Sequence, residues 1–227
     1  MQPLYGLTPF TLQDFPNHTA CIVWLGGCNM RCGYCHNPDI VKAGRGTYPV
    51  ADLLNFLSNR INKLEGVVLT GGEATLYPNL LELSQCIKYF GYHIKLDTNG
   101  TRPKIVAKLL KEKLIDYVAL DYKAPPEKFK QVTGSNKYQT FSQTLDMLCA
   151  QKKIPFEIRT TVHTDLLNET DVQWILADLA HRNCTAPHYI QNYTHTQTLG
   201  NLPEQSHQLD ITTLRHTCPS IAFRNFP

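Results

Sequence analysis

The chain has 227 residues, 42% of them hydrophobic and 18% charged, which is enough apolar material to bury a core and too much for a disordered segment, so a single domain over residues 1–227 is expected. Its formal charge of +3 comes from 22 basic and 19 acidic residues without any block of like charge, which leaves no footing for a nucleic-acid arm. No apolar run approaches the roughly 20 residues of a spanning helix, and residues 1–14 lack the basic-then-apolar plan of a secretory leader, so a cytoplasmic protein with no membrane partner is expected.

From Thr19 onward, short runs rich in Val, Ile and Leu alternate with amphipathic stretches. A first strand is expected at residues 20–25, running out into Cys28-Asn-Met-Arg-Cys32-Gly-Tyr34-Cys35. A helix at 50–61 leads to a second strand at 66–70, which ends on Gly71-Gly72-Glu73. A helix at 77–90 precedes a third strand at 93–97 and the turn Asp97-Thr98-Asn99-Gly100; a helix at 103–114 precedes a fourth strand at 117–121 and Asp121-Tyr-Lys123. The helix at 138–151 is followed by a fifth strand at 156–162, which carries Arg159 and Thr161 and ends beside His163. In the helix at 169–182, Val172, Ile175, Leu176 and Leu179 share one face and Asn168 stands as N-cap. A sixth strand at 188–192 carries Gln191, a polar loop fills 194–208, and a helix at 210–217 and a strand at 221–225 close the pattern.

Repeated strand-helix units make parallel strands joined by right-handed crossovers, and six of them suit an α/β fold built as a partial (β/α)6 barrel. In such folds the chemistry collects at the carboxyl ends of the strands. The unusual residues of this chain follow that rule: the three cysteines, the Gly-Gly-Glu, Asp97 with Thr98, Lys123, His163 and Gln191 all fall at strand ends.

Of eight cysteines, Cys28, Cys32 and Cys35 crowd one loop while Cys21, Cys86, Cys149, Cys184 and Cys218 are scattered. In a cytoplasmic chain such crowding points to metal. Closed clusters and structural zinc sites take four protein ligands, whereas three thiolates leave one iron open to a small molecule. A zinc site completed by Cys21 or His36, in a binding module without catalysis, is the competing reading. Glycines at 71 and 72 let a backbone approach a ligand amino group with no Cβ in the way, with the Glu73 carboxylate in support; a plain Gly-Gly turn is the alternative. An arginine at 159 in an apolar strand needs an anionic or carbonyl partner, while Lys123 reads equally as a solvated lysine.

The CxxxCxxC loop, with aromatic Tyr34 before its third cysteine, resembles the signature of the radical S-adenosylmethionine (SAM) superfamily. Thr70-Gly71-Gly72-Glu73 resembles that family's GGE motif, and Asp97-Thr98-Asn99-Gly100 with Asp121-Tyr-Lys123 resemble the DTNG and D-x-K elements of the glycyl-radical activating branch. Together with Leu7-Thr-Pro-Phe-Thr-Leu-Gln-Asp14 and Cys35-His36-Asn-Pro38, the plan through about Asn192 is most similar to that of activating proteins for anaerobic ribonucleoside-triphosphate reductase.

The resemblance implies one 4Fe-4S cluster on Cys28, Cys32 and Cys35, whose open iron chelates the methionine part of SAM. One electron then cleaves the sulfonium, and the resulting 5'-deoxyadenosyl radical takes a hydrogen atom from a glycine of a partner, here an anaerobic ribonucleotide reductase. It also implies that Tyr34, Gly71, Gly72, Glu73, Lys123, Arg159, Thr161 and Gln191 contact the cofactor, and that Asp97, Thr98 and Asp121 give oxygens to a monovalent cation, Na+ or K+, near the methionine carboxylate. His36 would pack near the cluster. A flavodoxin or ferredoxin would supply the electron under anaerobic conditions. A radical enzyme acting on a small molecule, of the 7-carboxy-7-deazaguanine synthase kind, is the catalytic alternative. The remaining cysteines are too far apart in sequence for a second, ferredoxin-like cluster.

Overall fold

The computed structural model describes residues 1–217 and 221–226, so Cys218 lies outside the described residues. The chain divides into two compact units, one of residues 1–29, 37–98 and 102–119, the other of residues 30–36, 99–101 and 120–227. Strand order follows chain order from β1 to β8, and among the described residues β1 and β8 do not pair with each other, so the sheet is not closed. The α/β class and the unclosed, mainly parallel sheet expected of a partial barrel are both present.

The first unit holds β1 (Gly6–Thr11), β2 (Ala20–Leu25), α1 (Pro38–Lys42), α2 (Val50–Ser58), β3 (Gly66–Gly71), a 3-10 turn (Ala74–Leu76), α3 (Leu80–Tyr89), β4 (His93–Thr98), α4 (Pro103–Lys111) and the opening of β5 (Tyr117–Asp121). The strands β2, β3 and β4 pair in parallel, with Ala20 opposite Gly66 and Gly66 opposite His93. Their sequences are near-continuous apolar runs because a parallel sheet is covered on both faces. Phe15, Ala20, Ile22 and Val68 form a buried cluster against Trp24 and Tyr117. Gly66 leaves the room Phe15 needs: a Cβ there would stand 2.6 Å from the Phe15 ring.

The second unit holds the end of β5, α5 (Pro126–Thr133), α6 (Tyr138–Ala150), β6 (Phe156–Val162), α7 (Glu169–His181), β7 (His188–Asn192), α8 (Ile211–Thr217) and β8 (Ile221–Arg224). Here β6, β7 and β8 are parallel, with Thr161 opposite Gln191 and Gln191 opposite Arg224. Helix α7 opens on a reciprocal capping box, Asn168 Oδ1 accepting from Asp171 N–H at 3.1 Å and Asp171 Oδ2 accepting from Asn168 N–H at 2.8 Å. Val172, Ile175 and Leu179 face its core, while Leu176 is only half-buried.

Four elements depart from the sequence reading. Strand β1 lies antiparallel on β2, and its register slips between Thr8 and Thr11, where Pro9 stands. Proline and an exposed Phe10 hide the strand pattern, but an edge strand with a bulge tolerates both. Helices α1 and α5 each begin with proline at the first turn, a position that suits its fixed φ and missing N–H. The helix expected at 77–90 is a 3-10 turn followed by α3.

Candidate functional site

In the first unit, β2 runs into Gly26, Gly27 and Cys28, and the end of β3 is clamped against that stretch. Gly72 N–H donates to Leu25 O at 3.0 Å and Glu73 N–H to Gly27 O at 2.9 Å. A Cβ on Gly71 would lie 2.1 Å from Leu25 O, and one on Gly72 would lie 2.1 Å from Gly27 O. Gly71 also has φ of +134°. The glycine pair is therefore required by the cysteine-bearing backbone itself. Leu25 and Gly27 fill the room that a Cβ would take, at the point where Cys28 begins.

Glu73 is 1% exposed and organises the strand ends around it. Its Oε1 accepts from Thr75 N–H at 3.1 Å, capping the 3-10 turn, and from Thr98 Oγ1 at 2.7 Å at the end of β4. Asp97, one residue earlier on β4, forms an ion pair with Lys95, whose side chain is 2% exposed. The pair Lys95 and Asp97 sits two residues apart on one strand and so projects from one face. Sequence reasoning named Asp97 and missed Lys95, although the lysine-x-aspartate spacing in an apolar strand was the available signal.

In the second unit, the turn of residues 30–36 is held from several sides. Cys35 N–H donates to Cys32 O at 3.1 Å, closing the turn between the two cysteines, and Arg31 N–H donates to Thr133 O at 2.7 Å at the end of α5. The loop after β7 completes the grip: Leu199 N–H donates to Cys35 O and Gly200 N–H to Gly33 O, both at 2.9 Å. A Cβ on Gly200 would stand 2.7 Å from Gly33 Cα. His36 shares a 2.8 Å hydrogen bond with Thr196 Oγ1 and stacks on Tyr193. These supports were not legible, because the polar loop at 194–208 carries no motif.

Cys32 is buried and its thiol is pushed up by that burial, with the charge of Lys123 pulling the other way. Lys123 Nζ also stands 5.8 Å from the centre of the Tyr34 ring. The Tyr34 hydroxyl is buried without a hydrogen-bond partner. At the end of β5, Asp121 accepts from Arg159 Nε at 2.9 Å and from Lys123 Nζ at 3.3 Å. Burial pushes the Asp121 carboxyl up, but Arg159 and then Lys123 outweigh it and hold it below the ordinary carboxylate value. Arg159 thus has the anionic partner its position in the strand demanded.

A cavity of about 410 Å³ is lined by His36, Thr161, Gln191, Asn192, Thr196 and Asn225, which brings the expected residues of β6 and β7 to one place beside the cysteine turn. His163 is 1% exposed, its Nε2 3.1 Å from Pro203 O. A second cavity, at the amino ends of β2 to β4 around Thr19, Glu65 and His93, contains none of the expected residues.

Among the described residues no group of three or more His, Cys, Asp or Glu side chains is gathered closely enough to hold a metal ion. The seven described cysteines are free thiols. The chemistry of the Cys28, Cys32 and Cys35 loop suits an iron-sulfur cluster, which takes soft sulfur donors, and the buried Tyr34 hydroxyl lies beside Cys32.

The Radical SAM superfamily model matches residues 22–180. A protein of Methanocaldococcus jannaschii, provisionally named a glycyl-radical enzyme activating enzyme, is 31% identical over 174 residues, covering 74% of this chain and 71% of that one. A pyruvate formate-lyase-activating enzyme of Clostridium pasteurianum is 33% identical over 144 residues, 60% of this chain and 59% of its own length. In structure, the chain resembles SuiB of Streptococcus suis, solved with its precursor peptide SuiA, with a TM-score of 0.72 at 14% identity over 90% of this chain and 48% of that one, a likeness of fold.

Proposed function

The chain belongs to the radical SAM superfamily, and from that membership we propose that it is a glycyl-radical activase, removing a hydrogen atom from a glycine Cα in a partner enzyme and leaving a stored radical there. Membership entails a 4Fe-4S cluster and SAM; when bound, they supply a one-electron cleavage that ends in hydrogen-atom abstraction. The observation that carries the activase reading is the 174-residue similarity to a relative of that name.

In this reading Cys28, Cys32 and Cys35 hold the cluster. Leu199 and Gly200 bond the turn at Cys35 and Gly33, and Thr133 bonds Arg31 just before it, so the backbone that presents Cys32 and Cys35 is braced from two sides. Tyr34 places its hydroxyl by Cys32. In the first unit, Gly71, Gly72 and Glu73 position the Cys28 segment and, with Asp97 and Thr98, would take the methionine part; in the second unit, Asp121, Lys123 and Arg159 form a charged group that would face the cofactor. Thr161 and Gln191 line the cavity for the nucleoside. The partner we favour is an anaerobic ribonucleotide reductase, with a flavodoxin or ferredoxin as electron donor in an anaerobic cytoplasm, a setting in keeping with the free thiols.

The test is electron paramagnetic resonance on the reduced, cluster-loaded protein mixed anaerobically with SAM and that reductase. A glycyl doublet that vanishes with Cys32→Ala is the expected result. Formation of 5'-deoxyadenosine without a doublet would keep radical chemistry and reject the activase assignment for that partner.

A further inference from the structure

The two carboxylates that the family resemblance assigns to an alkali cation each already carry a cation supplied by the chain. Asp97 is ion-paired with Lys95, at 13% and 2% side-chain exposure. Asp121 holds Arg159 Nε at 2.9 Å and Lys123 Nζ at 3.3 Å. The donor set therefore does not fit a bound Na+ or K+ as the resemblance implied.

The placement of Lys95 follows from the strand. Residues two apart on β4 share a face, so the ammonium is delivered to the Asp97 carboxylate by the backbone itself. A lysine ammonium is a compact point charge on a flexible stem, with the same charge as an alkali ion. Nearly complete burial means that an uncompensated lysine would be costly there, and Asp97 supplies the compensation. A second unit charge placed at the same carboxylate would meet the repulsion of that ammonium at short range, where little water screens it.

We propose that Lys95 takes the place of the alkali cation: it is a tethered monovalent cation that, as a positioning residue, fixes the Asp97 end of the SAM cradle and makes cofactor binding independent of Na+ and K+. This rests on the reading of the SAM site given above. Next to Asp97, Thr98 is tied to the buried Glu73 at 2.7 Å, so Lys95 and Glu73 hold adjacent residues at the end of β4.

The experiment is SAM binding by calorimetry to the cluster-loaded, anaerobic protein in chloride buffers of Na+, K+ or tetramethylammonium, the last being too large to enter a carboxylate site. The expected result is one dissociation constant in all three. Tightening by about tenfold in K+ or Na+ over tetramethylammonium would overturn the proposal, and this comparison needs no variant. Lys95→Met should weaken binding in tetramethylammonium and regain part of it in K+ or Na+; a folded Lys95→Met protein with unchanged affinity in every salt would also overturn the proposal. Absence of SAM binding under all conditions would reject the cofactor site itself and the proposal with it, an outcome distinct from salt-dependent binding.

Discussion

The ion group at the end of β5 gives the sharpest energetic test. Asp121 accepts from Arg159 Nε at 2.9 Å and from Lys123 Nζ at 3.3 Å, with side-chain exposures of 28% for Asp121 and 17% for each cation. A hydrogen bond to a charged group contributes about 1.5–3 kcal/mol, and removing one partner of a fully buried pair costs about 3–5 kcal/mol. Partial exposure and the presence of Lys123 as a second partner place the Asp121 to Arg159 coupling near the lower figure, about 1.5–2 kcal/mol. The perturbation is a double-mutant cycle of Asp121→Asn and Arg159→Gln, read by urea unfolding of the SAM-free protein at neutral pH. The pH dependence carries a second signature. Burial acts to raise the Asp121 carboxyl and Arg159 and Lys123 lower it further than burial raises it, so its folded value lies below its unfolded value. Its contribution is then complete above the ordinary carboxylate value and is lost as pH falls through the folded value. Asp121→Asn should remove that part of the acid sensitivity. A coupling below about 0.5 kcal/mol, the scatter of independent sites, or an unchanged acid profile in Asp121→Asn, would refute the reasoning.

Further outcomes follow from single contacts. Cys32→Ala should abolish cluster retention and SAM cleavage, whereas Cys149→Ala, in α6, should leave iron content unchanged; equal losses in both would contradict the ligand assignment. Thr98→Val removes the hydroxyl that donates to buried Glu73 and should destabilise the protein by about 1.5–3 kcal/mol, measured by urea unfolding. Gly200→Ala puts a Cβ 2.7 Å from Gly33 Cα and should cost about 1–3 kcal/mol of overpacking, visible as lower iron content after reconstitution with the global fold intact by circular dichroism.

How much of this could be read from the chain differs between elements for physical reasons. The buried parallel strands β2, β3 and β6 announce themselves as apolar runs, and the capped, periodic α7 was legible to within a residue of its end. Strand β1 was not, since Pro9 and exposed Phe10 interrupt the pattern and its pairing depends on β2. At the candidate site, local motifs named the chemically unusual side chains. What they touch was not local: Arg159 meets Asp121 across 38 positions, and Glu73 meets Thr98 across 25. The glycine pair was noticed, but its packing against Leu25 and Gly27 was not, because sequence shows that a Cβ is missing without showing what lies beside it.

The brace on the cysteine turn also has a consequence for the order of events on the ribosome. Residues 28–35 emerge early, but His36 finds its hydroxyl partner Thr196 only 160 positions later, and Leu199 and Gly200 follow directly after it. At elongation rates of about 5–20 residues per second, the thiols spend on the order of ten seconds in a nascent chain without these supports. Contacts of such long sequence separation close late, so, in the proposed reading, a cluster delivered during synthesis would meet an unbraced turn, and stable loading would follow synthesis of the segment carrying Tyr193 to Leu202.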